Sequence, residues 1–298
     1  VNVYQIITEK IIESLKKGEI PWRKPWKGGS ESIPKNWIGN PYRGINVWLL
    51  GGNHDKPFWY GRKKIQELGG RIKNSEFLNH RLCVYYKVMS EKKNIDGSIE
   101  KYPKERFMLF YHKVWNIDQT EGMQIPETVQ AMLNKEKTPE KIYDKKEECE
   151  KLIKKYNDRP TVTEIEQRAY YRPVDDVINM PKMGTFDSVD EYYSTLFHEY
   201  SHSTGHHKRL KRVGIIKGVF GDETYSFEEL IAEFSATFLC GIAGIEQATI
   251  KNSTAYIQNW MKKLQESSQM VVQAAQAGSK AADYFQGIKP REYQNEPI

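Results

Sequence analysis

The 298 residues carry a net charge of +6, and 39% of them are hydrophobic, enough for the cores of two domains of ordinary size. No apolar run reaches the length of a membrane span, and three widely spaced cysteines (Cys83, Cys149, Cys240) exclude a disulfide framework or a zinc knuckle, so a reducing cytoplasm is the expected location. Charge is uneven: residues 1–120 hold 22 Lys and Arg against 12 Asp and Glu, while residues 121–298 hold 23 against 27, so the first half is expected to meet a polyanion.

The chain opens on Val1 rather than Met, and residues before it are expected to be missing. Apolar positions at Val3, Ile6, Ile7, Ile11, Ile12 and Leu15 predict an amphipathic helix over 3–17, ended by Gly18, and not a signal peptide. Next comes IPWRKPWKGG, held extended by Pro21 and Pro25, with Trp22, Arg23, Lys24, Trp26 and Lys27. A second aromatic and basic cluster, NWIGNPYRGINVWLL, contributes Tyr42 and Arg43. A short helix in GRKKIQELGG bears Arg62, Lys63 and Lys64, and two strands follow in RLCVYYKVM and ERFMLFYHKVWNI. Interleaved rings and cations suit single-stranded DNA, whose bases stack on exposed rings while Lys and Arg follow the phosphates. These ten ring and cation positions, from Trp22 to Lys64, are the candidate DNA contacts. Trp48, Tyr85 and Tyr86 are expected in the core instead.

Residues 121–138 read as a linker with at most a short helix. Residues 139–156 predict a charged amphipathic helix with Ile142, Cys149, Leu152 and Ile153 inward, and TVTEIEQRAYYRP and DDVINMP predict strands. They lead into DEYYSTLFHEYSHSTG, one helix carrying His198, Glu199 and His202 as H-E-x-x-H. Ser188 and Glu191 form a capping box, and Gly205 is suited to end the helix. Two His four residues apart share a helix face, at the spacing that lets both reach one Zn²⁺. Glu199 beside them can serve as general base, taking a proton from the attacking water. A helix in SFEELIAEFSATFLCGIAG follows, with Ser226 as expected N-cap. Glu229 is the expected third ligand, and Glu233 the acceptor for a ligand His N–H; Glu229 bonding back to Ser226 as a cap is the alternative, and Glu228 and Asp222 are outside candidates. His206 and His207 are expected at the surface, since a three-His signature would need His where Lys208 stands. Two helices close the chain, with Trp260 and Leu264 inward.

The whole chain resembles the ArdC-type antirestriction proteins of conjugative plasmids and integrative elements. YQIITEKIIESLKKGEIPWRKPW, NPYRGINVWLL and VWNIDQTEG carry the resemblance in the first half. YRPVDDVINMP, FDSVDEYYSTLFHEYSHSTGHHKRLKR, YSFEELIAEFSATFL and AYIQNWMKKL carry it in the second. It implies an N-terminal domain that binds single-stranded DNA, a zincin-like metallopeptidase domain, and protection of incoming DNA from restriction. The expected fold is therefore α+β in two domains, 1–120 and 139–298, joined by 121–138. The expected partners are single-stranded DNA and a protein or peptide substrate, without a membrane. A DNA-binding protein whose metal is structural or inactive is the alternative; a nuclease would want clustered carboxylates around two cations.

Overall fold

The computed structural model of the chain describes residues 2–18, 20, 33–51, 54–93, 98–134, 145–217, 223–245 and 254–288. Helix α1 (Val3–Lys16) forms where its apolar spacing predicts. Asn2 caps it, accepting from the Tyr4 N–H at 3.1 Å, and Gln5 reaches back to the Asn2 N–H. After α2 (Asn46–Leu50) come β1 (Trp59–Gly61), α3 (Arg62–Glu67), β2 (Arg71–Ile72), β3 (Arg81–Lys93), β4 (Ile99–Asn116), β5 (Thr120–Glu121) and α4 (Glu127–Asn134). A long β3–β4 hairpin dominates this half, in an antiparallel sheet of order β1-β4-β3; β2 pairs with β5. The outer edge of β3 is covered at one point by a side chain that imitates a strand. Asn46 Oδ1 accepts from the Val84 N–H at 2.8 Å, and its Nδ2 donates to the Val84 carbonyl at 2.7 Å.

One expectation needs correction here. Tyr86 packs against the shared core as expected, but Tyr85 is only partly buried and outside it, because Val84 and Leu109 mark the stretch of hairpin that joins that core and Tyr85 turns to the other face. The short helix allowed for in 121–138 forms as α4. Val129 of α4 is fully buried against Phe58, Tyr60, Ile65, Trp115 and Ile117, which ties that helix to the first half.

The second half runs α5 (Lys145–Lys154), β6 (Thr161–Thr163), β7 (Tyr170–Arg172), β8 (Val177–Asn179), α6 (Val189–Ser203), α7 (Val213–Lys217), α8 (Glu223–Ala243), α9 (Thr254–Glu266) and α10 (Met270–Phe285). The strands form a small mixed sheet, β6-β8-β7, with β6 parallel to β8. Cys149, Leu152 and Ile153 face inward from α5, as expected; Ile142 lies outside the described residues. Helix α8 is sandwiched between α6 and α10. At Gly278 of α10, a Cβ would come within 2.6 Å of the Phe234 Cβ, so only glycine allows this approach.

The two halves do not pack separately. Ile7, Ile11, Ile12 and Leu15 of α1 share one core with Leu230, Ile231 and Phe234 of α8, Trp260 and Leu264 of α9, and Val271 of α10. The Trp48 ring, core as expected, lies 4.5 Å from Phe234 and 4.8 Å from Phe238. The Gly44 N–H donates to Ser279 Oγ at 2.8 Å, and Arg43 forms an ion pair with Asp283. The mixed α+β expectation holds.

Candidate metal centre

Helix α6 starts where the sequence indicates. Ser188 Oγ accepts from the Glu191 N–H at 3.1 Å, and the Glu191 carboxylate turns back to the Asp187 N–H at 2.8 Å, one residue before the cap. Tyr193, Leu196, Phe197 and Tyr200 are buried and seat the helix, leaving the His face toward α8. Gly205 serves a different purpose from the one expected. Its φ is not positive; instead a Cβ there would lie 2.9 Å from the Arg212 guanidinium carbon. Ser226 is not a cap either, since α8 begins at Glu223 and Ser226 lies buried within it. That removes the capping role for Glu229.

Glu229 points at the two imidazoles. Its carboxylate oxygens lie 3.6 Å from His198 Nε2 and 3.3 Å from His202 Nε2, and the two Nε2 atoms are 3.1 Å apart. One donor atom from each of these residues falls within 4.8 Å of the others. The imidazoles are nearly enclosed, at 12% and 11% side-chain exposure. The other imidazole nitrogens face carboxylates too. His202 Nδ1 is 3.4 Å from Glu228, while His198 Nδ1 is 4.0 Å from Glu233, the expected orienting acceptor, a separation too long for a hydrogen bond. Glu199 is buried, and the Tyr171 main chain lies beside it, which brings β7 to the site.

Electrostatics mark the same place. Burial pushes the Glu199 carboxyl up, with His198 and His202 opposing. Burial also acts to raise Glu229, but the charge of His202 and hydrogen bonds from both His hold it far below the usual carboxylate range. Burial acts to lower His202, yet Glu229 and Glu228 carry it well above the ordinary imidazole value. Four carboxyl groups thus gather around two imidazoles, with Arg212 as the neighbouring fixed cation. Such a cluster calls for positive charge, and two imidazole nitrogens with one carboxylate oxygen suit a divalent transition metal with an open position.

Sequence reasoning missed Arg212. It grips both Glu228 oxygens at 2.6 and 2.9 Å and also donates to Thr204 Oγ1 and to the Ser201 carbonyl. It thereby fixes the carboxylate behind His202 and closes the end of α6. Nothing in the spacing of HHKRLKR singles out which cation does this. Arg212→Ala is expected to weaken divalent-metal affinity about 10–100-fold, the usual cost of losing an outer partner. Competition against a chelator measures it, with a melting curve as the fold control.

His206 is a further correction. It is buried rather than at the surface, with Nε2 3.1 Å from the Pro173 carbonyl. The neighbouring Arg209 binds Asp176 with two nitrogens at 2.8 Å each and also the Asp158 carbonyl, so the loop after α6 is pinned to the β7–β8 turn. His207 is exposed, as expected.

The expected DNA contacts divide into groups. Trp22, Arg23, Lys24, Trp26 and Lys27 lie outside the described residues. Tyr42 is buried against Leu50, Trp59, Cys83 and Val114, so its ring is core and not a stacking surface. Arg43 is engaged with Asp283. Arg62, Lys63 and Lys64 share α3. Lys63 is 91% exposed, Arg62 lies over the Phe77 ring at 5.5 Å, and Lys64 pairs with Glu67 at 2.6 Å and lies over Trp37 at 4.2 Å.

A short mixed sheet, a helix presenting two His and a Glu, and a following helix presenting a carboxylate define the second half as a zincin-like metallopeptidase domain. Residues 147–277 match the family model described as zincin-like metallopeptidase, and residues 1–115 match the N-terminal domain of anti-restriction factor ArdC. The metal-free crystal structure of the antirestriction ArdC protein from plasmid R388 superposes with a TM-score of 0.73 at 31% identity, covering 97% of this chain and 100% of that one. The Mn(II)-bound structure of the same protein gives 0.72 at 29% identity, covering 96% and 98%. The chain belongs to the ArdC antirestriction family. DNA primase TraC of Escherichia coli is 30% identical over 308 residues, 98% of this chain. The chain spans only 20% and 28% of the length of the two TraC sequences it matches. No described helix is long and apolar enough to cross a membrane.

Proposed function

We propose that this chain is an antirestriction protein of a mobile element, acting in the cytoplasm. Its first half binds single-stranded DNA, and its second holds one Zn²⁺ through His198, His202 and Glu229. The convergence of these three donors beside Glu199 carries the reading. A bound divalent cation supplies Lewis acidity for a peptide carbonyl and eases deprotonation of water. Glu199 takes the proton from the attacking water and returns it to the leaving amine. Glu228 holds the His202 imidazole in orientation, and Glu233 stands behind His198. The Mn(II) bound by the R388 protein supports a divalent ion, and the TraC relatives, named as primases, support a nucleic-acid role for the matched segment.

A structural metal is the second reading, favoured by the near enclosure of both imidazoles. Glu199→Gln separates the two. It is expected to keep metal and DNA affinity while losing hydrolysis and protection of incoming DNA in restricting cells. Protection equal to the parent's would reject the peptidase role and leave the structural metal.

A further inference from the structure

The β3–β4 hairpin carries a surface that none of the expected DNA contacts includes. Cross-strand partners share a face, and on one face three rings line up. Tyr85 stacks on His112 with centroids 4.4 Å apart and planes 2° from parallel, and it stacks on its partner Phe110 at 5.8 Å and 27°. All three are partly exposed. At the base of this face, Cys83 and Val114 join a core with Tyr42, Leu50 and Trp59, so the strip begins where that cover ends. Toward the tip on the same face come Lys87, two residues beyond Tyr85, and Arg106, opposite Met89; Arg81 stands at the base. All three cations are exposed. Two residues of strand advance about 7 Å, which puts Lys87 within reach of a phosphate beside a base stacked on Tyr85. Burial holds His112 below the usual imidazole range, so its ring is neutral and offers a face instead of a charge.

We infer that this face of the hairpin, with Tyr85, His112 and Phe110 flanked by Arg81, Lys87 and Arg106, is a stacking platform for the unpaired bases of single-stranded DNA. The inference rests on the reading that the first half binds such DNA, and it locates the site. Rings that are aligned in advance lose little freedom on stacking, and every base has a face to offer, so the platform tolerates sequence. Cations at both ends of the strip set the path of the backbone across the hairpin. The positive balance of residues 1–120 supplies the attraction over distance.

The test uses the full chain and a labelled oligo-dT of about 20 nucleotides, titrated at several salt concentrations. Tyr85→Ala with Phe110→Ala is expected to weaken binding about 10–100-fold with the salt slope unchanged, since the rings neutralise no phosphate. Exchanging the rings, Tyr85→Phe with Phe110→Tyr, is expected to keep the parent's affinity. Lys87→Glu with Arg106→Glu is expected to weaken binding and flatten the salt dependence. Melting curves and metal content accompany each variant. If the Ala pair melts early, the ring exchange and the exposed charge pair decide. Parent-like binding by the charge pair and the Ala pair would overturn the platform while leaving DNA binding in place. A parent chain that ignores oligo-dT would instead defeat the underlying reading. Equal loss of duplex binding in the Ala pair would also overturn the platform, because stacking requires unpaired bases.

Discussion

Glu229→Ala is expected to leave the purified protein without stoichiometric metal, and His198→Ala likewise, while Glu199→Gln retains it. The reason is the count of donors. Three side chains from two helices converge within 4.8 Å, and removing one leaves two imidazoles on one face of α6, too few to hold a divalent ion firmly. Glu229 bridges α8 to both imidazoles, so its loss also leaves the raised imidazoles without their strongest carboxylate neighbour. Glu199 lies on α6 beside the ligands but outside that donor group. Metal analysis of the three variants, after loading with zinc or with manganese, measures the outcome. Full retention by Glu229→Ala would remove it from the ligand set, and Glu228, 3.4 Å from His202 Nδ1, would become the rival. Glu228 is the weaker choice because Arg212 already occupies both of its oxygens.

The helix of the candidate metal site was legible because its chemistry is periodic. His198 and His202 share a face by helix geometry alone, and the apolar positions around them fixed which face turns inward. Glu229 was legible only as one carboxylate among several on the next helix; its rival reading as a cap failed because α8 starts a turn earlier than Ser226 suggests. Arg212 was not legible. It lies in a run of cations, and its partner Glu228 is 16 residues away on another element. Tyr42 and Tyr85 were read the wrong way round for a related reason. A tyrosine beside Arg and Pro looks exposed and one inside a β-branched run looks buried, but burial depends on what covers the strand, and that cover comes from residues distant in sequence. His206 was hidden by the same long-range packing, against the β7–β8 turn.

The change of composition at residue 120 falls between elements that share one core, and the second large effect follows from this. Residues 121–298 alone are expected to lose cooperative unfolding or to melt far below the full chain. Helix α1 buries Ile7, Thr8, Ile11, Ile12 and Leu15, and its apolar side chains meet α8, α9 and α10. Thr8 Oγ1 also donates to the Ser268 carbonyl at 2.8 Å, in the turn between α9 and α10. Each large buried aliphatic side chain cut back to Ala costs about 2–5 kcal/mol, against a total stability of about 5–15 kcal/mol for a domain. Removing four such side chains together exceeds what the remainder can lose. It also uncovers Trp260 and Leu264, which are fully or nearly fully buried in the whole chain. The effect is expected to reach the metal, because α8 carries both Leu230 and Phe234, which share the core that α1 completes, and the candidate ligand Glu229. A milder version is Ile7→Ala with Leu15→Ala in the full chain, which should lower the melting temperature sharply and weaken metal binding without altering any ligand. Thermal melting with and without added metal decides it. A 121–298 fragment that melts cooperatively near the full chain's temperature, with its metal in place, would show that α1 is dispensable to the second half and that the boundary read from composition is the true one.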